Sequence, residues 1–220
     1  MPGGPNAMLL VPRVTSLATI ASLIVVPPVR AETEVAAYLG VSSTAESDVT
    51  LAGQSFRAVQ WETRSLRAPP YYGLRAAYFF ERSGWGLAID FFHDKAYAAS
   101  GSMAPALSRL SFSHGLNHLM IDLDWRTRAG PVQPYVALGA GTLIPHVEAE
   151  SGTTAVDEYQ WFRGVSLKAA AGFQWRFAGP AGLFVEYRLT FAHLRVSAPG
   201  GDLSTSLWTN HLAAGALLAL

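Results

Sequence analysis

The chain has 220 residues, of which half are hydrophobic and 15% are charged, and it contains no cysteine. Its 16 basic and 16 acidic residues cancel, so the composition favours neither a disordered chain nor a nucleic-acid-binding protein. The lack of cysteine excludes a disulfide framework, and stability must therefore come from a hydrophobic core or from a membrane.

The first 31 residues have the pattern of a secretory signal peptide. An apolar run from Val14 to Val26 follows Arg13, and two prolines then lead to Val29 and Ala31, which are placed as a cleavage signal. The run is too short to span a bilayer. We therefore predict a cleaved signal peptide over residues 1–31 and an exported domain over residues 32–220.

The rest of the chain alternates apolar and polar residues with the period of two that is typical of β-strands. In residues 116–125, for example, Leu119, Ile121 and Leu123 share one face, while Asp122 and Asp124 share the other. No run of about eighteen apolar residues follows Ala31, which argues against a helical membrane span. The pattern predicts eight strands, near residues 34–44, 71–81, 84–97, 113–127, 132–147, 159–177, 182–197 and 205–219.

The connections between these strands alternate in length. Short polar or Gly/Pro turns are expected at 81–84, 127–131 and 178–182, and longer links at 45–70, 98–112, 148–158 and 198–204. Short turns at one end and long loops at the other are typical of outer-membrane barrels. We therefore predict an all-β fold, an eight-stranded antiparallel transmembrane β-barrel in the bacterial outer membrane, with short periplasmic turns and longer extracellular loops.

The alternative fold is a soluble sandwich or a lipocalin-like barrel, in which the large apolar residues point inward. The interior of an eight-stranded barrel is too narrow for aromatic residues from every strand, so we expect the aromatic face to contact lipid.

The opposite face of the strands then forms an ionic barrel interior. Its predicted members are Arg75, Glu81, Asp90, Asp122, Asp124, Arg126, Lys168, Arg176, Glu186 and Arg188. We interpret this set as a paired plug rather than an ion channel, because unpaired buried charges are costly.

All six histidines fall in the halves of the strands nearest the long loops. They are His93, His114, His118, His146, His193 and His211. If the barrel closes, these side chains gather at the extracellular rim, where the loops of a rigid scaffold often carry function.

In the stretch LIPHVEAE, residues 143–150, strict alternation puts His146, Glu148 and Glu150 on the same side of an extended chain. A bulge at Pro145 would change the face to which His146 points. This stretch is either a solvated strand end or part of a catalytic or metal-binding site.

Common catalytic motifs are absent from the sequence, including the P-loop, GxGxxG, CxxC and HExxH. Ser111 and Ser113 lie beside His114, as a serine hydrolase would require. Sequence neighbours on a strand point to opposite faces, however, and no nucleophile-elbow pattern accompanies them.

Two segments of the sequence are distinctive, APPYYGLRA (68–76) and PYVALGAGTLIPHVEAE (134–150), and DFFHDKAYA (90–98), LSFSHGLNHL (110–119) and VEYRLTF (185–191) accompany them. Together these segments resemble the outer-membrane lipid A oxidase family of rhizobia-like bacteria. The resemblance covers most of the chain from about residue 65 onward. It implies a barrel enzyme that uses dioxygen to oxidise the proximal glucosamine of lipid A to an aminogluconate unit, with release of hydrogen peroxide. It carries over no catalytic residues.

Such an oxidase needs a redox centre, because direct reaction of dioxygen with a sugar is spin-forbidden. The sequence has no flavin fingerprint and no redox cysteine, so a divalent or redox metal ion held by histidines and carboxylates is the economical solution. The candidate metal ligands are His93, Asp94, His146, Glu148 and Glu150. The candidate catalytic residues are His93, Asp94, His118, His146, Glu148 and Glu158.

The expected co-substrate is dioxygen, and the expected partners are lipid A within lipopolysaccharide and the lipids of the outer membrane. Two other functions stay open from the sequence. One is a non-enzymatic structural or lipopolysaccharide-binding barrel, and the other is a lipid A acyl hydrolase that uses a Ser/His pair at the rim.

Overall fold

The computed structural model describes residues 31–220, so the predicted signal peptide lies outside the described residues except for Ala31. In this range no helix is long and apolar enough to cross a membrane. The described chain forms fifteen strands. They are β1 (Glu32–Thr44), β2 (Ser47–Leu51), β3 (Gln54–Val59), β4 (Trp61–Glu62), β5 (Tyr72–Phe79), β6 (Trp85–His93), β7 (Ala96–Ala98), β8 (Arg109–Phe112), β9 (His118–Arg126), β10 (Val132–Leu143), β11 (His146–Ser151), β12 (Thr154–Tyr159), β13 (Gly164–Ala178), β14 (Ala181–Ala198) and β15 (Gly201–Ala219).

Eight of these strands form a closed barrel. They follow one another in the order β1-β5-β6-β9-β10-β13-β14-β15, and β15 pairs with β1 to close the ring. Every pairing is antiparallel, and the closing pair runs from Glu34 opposite Ala219 to Thr44 opposite Thr209. The predicted eight-stranded antiparallel barrel is confirmed.

The outer wall of the barrel is apolar, as the alternation predicts. Trp85, Trp125, Trp175 and Phe177 all point outward near the end with the short turns, and each is between 37% and 52% exposed. A soluble sandwich or lipocalin-like barrel would bury such side chains. The exposed aromatic wall is therefore the surface that faces lipid.

Most of the charged side chains in the barrel interior are paired, while the buried Asp124 has no ion pair among the described residues. Lys168 Nζ donates to Asp90 at 2.6 Å, and Arg75 donates to Glu186 at 2.9 Å. Nearer the short turns, Arg126 binds Glu34 at 2.7 Å. A buried charge is tolerated when a partner of opposite sign and hydrogen bonds compensate for its lost hydration. The interior is thus a structural plug, as we predicted.

The prediction is wrong for one residue of this interior set. Glu81 is exposed and lies 3.8 Å from Arg82, because β5 ends at Phe79 and residue 81 belongs to the turn that follows. Glu34, which is not among the predicted members, is buried in the layer of charges near the short turns. It binds both Arg126 and Arg176.

The predicted long link at 198–204 is also wrong. β14 continues to Ala198 and β15 begins at Gly201, so a two-residue turn joins them. Gly200 takes a φ of +92°, which a residue without a Cβ adopts readily. The hairpin is stable beyond the bilayer because one of its faces is buried, with Leu194, Val196 and Leu203 almost inaccessible to solvent.

The other long links fold into a cap on the barrel rather than irregular loops. Strands β2 and β3 extend the wall beside β15, while β12, β11, β8, β7 and β4 form a separate five-stranded sheet. One hydrophobic core joins the two sheets, and Val49, Phe112, Val147, Leu194 and Leu207 are among its members. The cap is therefore a packed, rigid platform at the extracellular end of the barrel.

Candidate functional site

The site lies on the outer face of the five-stranded cap sheet. Strands β8 and β11 pair so that Ser111 lies opposite Glu148 and Arg109 lies opposite Glu150. Paired residues of an antiparallel ladder share a face, and their sequence neighbours occupy the other face. Leu110 and Val147 therefore join the core while the polar residues remain outside.

Three ligand-capable side chains converge on this face. One nitrogen of His114, one nitrogen of His146 and one oxygen of Glu148 all lie within 4.8 Å of one another. His114 Nδ1 is 3.0 Å from Glu148 Oε1, and His146 Nδ1 is 3.8 Å from the same oxygen. We call these three residues the histidine–carboxylate cluster.

Neighbouring polar groups hold Glu148 in place. Arg109 and Ser111 contact Oε2 of the carboxylate, and Ser113 donates to Oε1. The carboxylate is nearly buried, while the His114 side chain is 59% exposed. Glu148 is thus the fixed member of the cluster and His114 is the member that has room to move.

The ring of His146 is oriented by contacts on two sides. It packs edge-on against Tyr159, with ring centroids 4.5 Å apart, and its Nε2 lies 3.3 Å from Asp157 Oδ1. A proton on Nε2 that is donated to Asp157 leaves a lone pair on Nδ1, which faces Glu148. Among residues 31–220, this buried Nδ1 has no hydrogen-bond partner. Such an arrangement of histidine and carboxylate commonly orients a metal ligand.

The turn before β9 brings His114 to the cluster. Gly115 has a φ of +114°, and its carbonyl oxygen accepts a hydrogen bond of 2.8 Å from the amide of His146. A residue with a Cβ rarely adopts this conformation. The alternation predicts a regular strand over residues 113–127, and His114 is not among the predicted metal ligands. The glycine next to the histidine was the available signal for a turn.

Beside the cluster, a pocket of about 350 Å³ opens on the outer wall of the barrel. Its lining is mostly aromatic and heterocyclic. It consists of Pro69, Tyr72, Phe91, His93, His114, Asn117, Ile144, Tyr159 and Trp161. Tyr72 and Phe91 belong to the outward rows of β5 and β6, so the pocket opens sideways at the upper edge of the lipid-facing surface.

His93 forms one wall of this pocket, and its protonation is set by Asn117. The amide nitrogen of Asn117 donates to the carbonyl of Ile144 at 3.0 Å, so its Oδ1 is the atom that faces His93 Nδ1 at 2.9 Å. That oxygen only accepts, and the proton of a neutral His93 therefore resides on Nδ1. Nε2 is left as a buried lone pair with no protein partner within the described range.

Other residues that we predicted for the site lie apart from the cluster. Asp94 turns away and accepts hydrogen bonds from Ser42 Oγ and the Lys95 amide, both at 2.7 Å. Burial is the main reason that the pKa of Asp94 is raised to about 6. His118 lies inside the barrel, where it stacks on Phe92 with centroids 4.3 Å apart.

The remaining acidic candidates are on the cap sheet. Glu150 shares the face of Glu148 and lies 3.3 Å from Arg109, so it belongs to the surroundings of the cluster rather than to the cluster itself. Glu158 is exposed and lies opposite Val147, on the other face of the sheet. The structure thus brings together two of the predicted residues, His146 and Glu148, with His93 on the adjoining pocket.

A hydrolase of the Ser-His-acid type requires the two nitrogens of its histidine to contact the serine and the acid separately. Here the same atom, His114 Nδ1, lies 3.1 Å from Ser113 Oγ and 3.0 Å from Glu148 Oε1. Ser113 also donates directly to Glu148. These three residues do not form a proton relay.

Solved structures with the same architecture come from the bacterial outer membrane. Outer membrane protein OprG from Pseudomonas aeruginosa has a TM-score of 0.51 and 12% identity, covering 87% of this chain and 97% of that chain. Outer membrane protein AlkL in lipid bilayers has a TM-score of 0.50 and 13% identity, covering 97% of both chains. The chain folds as an outer-membrane barrel. No protein-family model and no curated protein matches its sequence. At these identities the likeness shows the fold alone.

Proposed function

We propose that the chain is an outer-membrane enzyme that oxidises the proximal glucosamine of lipid A to an aminogluconate unit, with dioxygen as the oxidant. The observation that carries this proposal is the histidine–carboxylate cluster beside a lateral pocket at the membrane edge. The sequence resemblance to lipid A oxidases supplies the substrate and the reaction.

The donor set of the cluster suits a redox metal. Two imidazoles and one carboxylate are the ligands of many non-haem iron oxygenases, and they leave coordination positions open for dioxygen and substrate. Ligand atoms about 2.1 Å from an ion are roughly 3 to 3.5 Å apart. Two of the separations, 3.0 and 3.8 Å, are near this range, and the exposed His114 ring has room to close the third. A bound ion of this kind would supply single-electron transfer and so remove the spin barrier to reaction with dioxygen.

The position of the pocket suits a substrate that arrives from the membrane. Trp161 and Phe162 are 64% and 65% exposed beside the pocket, at the end of the barrel where the cap begins. Exposed aromatic side chains of this kind favour the interface between lipid and water. The sugar head group of lipid A lies at this height, while its acyl chains lie beside the apolar wall below.

Oxidation at C1 of the glucosamine removes two electrons and two protons from the carbon and its hydroxyl group. Dioxygen takes up both electrons and two protons to give hydrogen peroxide, and water then opens the resulting lactone to the acid. The substrate must carry a free C1 hydroxyl, because a C1 phosphate has no proton at this oxygen. We assign His93, which lines the pocket, to accept the hydroxyl proton.

Metal binding and peroxide release test this proposal on the purified, refolded protein. We expect one ferrous ion per chain by calorimetry, and one hydrogen peroxide per lipid A oxidised under air. His114→Ala and Glu148→Gln should lower the affinity for the ion more than tenfold, since even changes to residues behind a ligand commonly cost 10- to 100-fold. Glu158→Gln is the matched control, because Glu158 is an exposed acid on the opposite face of the same sheet.

Two results would overturn the proposal. One is equal metal affinity in all four proteins, and the other is unchanged oxidation after the metal has been removed by a chelator. Loss of one acyl chain from lipid A, in place of peroxide release, would indicate a hydrolase instead.

A further inference from the structure

A second lateral feature lies on the barrel wall formed by β13, β14 and β15. It is an apolar groove of about 330 Å³, lined by Leu167, Lys168, Ala169, Leu189, Phe191 and Trp208. The amino group of Lys168 is buried in the barrel interior, where it donates to Asp90. Leu167 and Trp208 are each about half exposed, so these side chains belong to the lipid-facing surface. The small side chain of Ala169 leaves the depression between its larger neighbours.

A basic pocket of about 310 Å³ lies above this groove, toward the cap. Arg163, His193, Arg195 and Asp202 are among its lining residues. The backbone amide of Arg195 donates to the carbonyl of Arg163 at 3.0 Å, so the two arginines lie side by side. Asp202 lies 2.8 Å from Arg195. Within residues 31–220 the Arg163 side chain has no ion pair, and the pocket therefore keeps one net positive charge.

The spacing of the two features matches the shape of an anionic lipid. Phe191, His193 and Arg195 point outward from the same strand at two-residue intervals, and each interval is about 6.7 Å. Arg195 therefore lies roughly 13 Å from Phe191 along the strand, on the side toward the cap. Guanidinium groups bind phosphate oxygens through paired hydrogen bonds.

We infer that this wall binds a phosphorylated glycolipid of the outer leaflet, with its phosphate at Arg163 and Arg195 and an acyl chain in the apolar groove. The site is on different strands from the pocket at His93, and its occupation requires no oxidation chemistry. The inference therefore stands or falls independently of the proposed enzyme activity.

Quenching of Trp208 fluorescence by brominated lipids tests this inference on the full-length mature protein in bilayers. The Trp208 signal is the difference between the wild type and Trp208→Phe. Brominated phosphatidic acid, which has a phosphomonoester head group, should bind beside Trp208 about fivefold more strongly than brominated phosphatidylcholine, as one basic residue at a membrane surface provides. Unlabelled lipid A with its phosphates should displace the brominated probe, and dephosphorylated lipid A should not.

The double variant Arg163→Gln with Arg195→Gln should reduce the fivefold preference to none. Arg64→Gln is the matched control, because Arg64 pairs with Glu62 on β4 of the cap, away from this wall. Equal quenching by both brominated lipids in the wild type would overturn the inference. So would a preference that survives in the double variant, or a failure of phosphorylated lipid A to compete.

Discussion

Removal of Glu186 should strongly destabilise the barrel, because this acid links two buried arginines. Glu186 is fully buried and accepts hydrogen bonds from Arg75 at 2.9 Å, from Arg188 at 2.7 Å and from the Tyr135 hydroxyl at 2.8 Å. In Glu186→Ala, the one carboxylate partner that Arg188 keeps among residues 31–220 is the more distant Asp90, at 3.5 Å. Arg75 loses the sole carboxylate partner that it has among the described residues.

The loss of one partner from a buried ion pair costs about 3 to 5 kcal/mol. We therefore expect the free energy of unfolding of Glu186→Ala to fall by at least about 3 kcal/mol. Urea titration of the refolded protein in detergent, followed by heat-modified gel mobility, gives this quantity. Glu81→Ala is the control, because Glu81 lies in an exposed pair and its loss should change stability by less than about 0.5 kcal/mol.

A double variant separates the cost of a stranded charge from the cost of a cavity. Glu186→Ala combined with Arg75→Met removes one stranded cation, so it should be more stable than Glu186→Ala alone. An unchanged urea midpoint in Glu186→Ala would refute the reasoning, since it would mean that water solvates these charges, as in a channel.

Three further predictions concern topology, the cap and the cluster. A cysteine that replaces Ser100, in the cap, should react with an impermeant thiol reagent on intact cells. A cysteine that replaces Ala129, in a short turn, should react only after permeabilisation. The reverse pattern would mean that the barrel is inverted in the membrane. Burial raises the pKa of Asp94 to about 6, above its unfolded value of about 4, so its contribution to stability falls as the pH rises from about 4 to 6. Asp94→Asn should therefore raise the urea midpoint at pH 7 and flatten this part of the pH profile, and an unchanged profile would exclude Asp94 as its source. Gly115→Ala places a methyl group against His93 and Asn117 at a φ of +114°, so it should displace His114 and weaken metal binding more than tenfold. Gly53→Ala is the control, because Gly53 also has a positive φ but lies in open space, and this variant should leave metal binding intact.

The sequence predicted the barrel well because its signal is local. Each strand alternates between lipid and interior, so residues such as Trp125 and Asp124 could be assigned to opposite faces without knowing which strands are neighbours. The alternation does not mark where a strand ends. Glu81 was assigned to the interior because the alternation continues for two residues past the end of β5.

The alternation could not predict the cap or the cluster, because both depend on contacts between segments that are distant in the sequence. Strand β8 is only four residues long, and it is held by pairing with β11, about forty residues later. His146 and Glu148 were found because they alternate on one strand. His114 joins them only through the turn at Gly115, which the period of two did not reveal.

The mass of lipid A from living cells tests the central claim most directly. Cells that express the wild-type chain should contain lipid A with the mass gain of one oxygen atom, and only when they grow in air. His146→Ala and Glu148→Gln should abolish this gain but retain normal heat-modified gel mobility, because both side chains lie on the outer face of the cap and not in the barrel interior. A chelator added to wild-type membranes should abolish it as well. An undiminished gain in both folded variants would contradict the account, and residues 146–150 would then be only a polar edge of the cap.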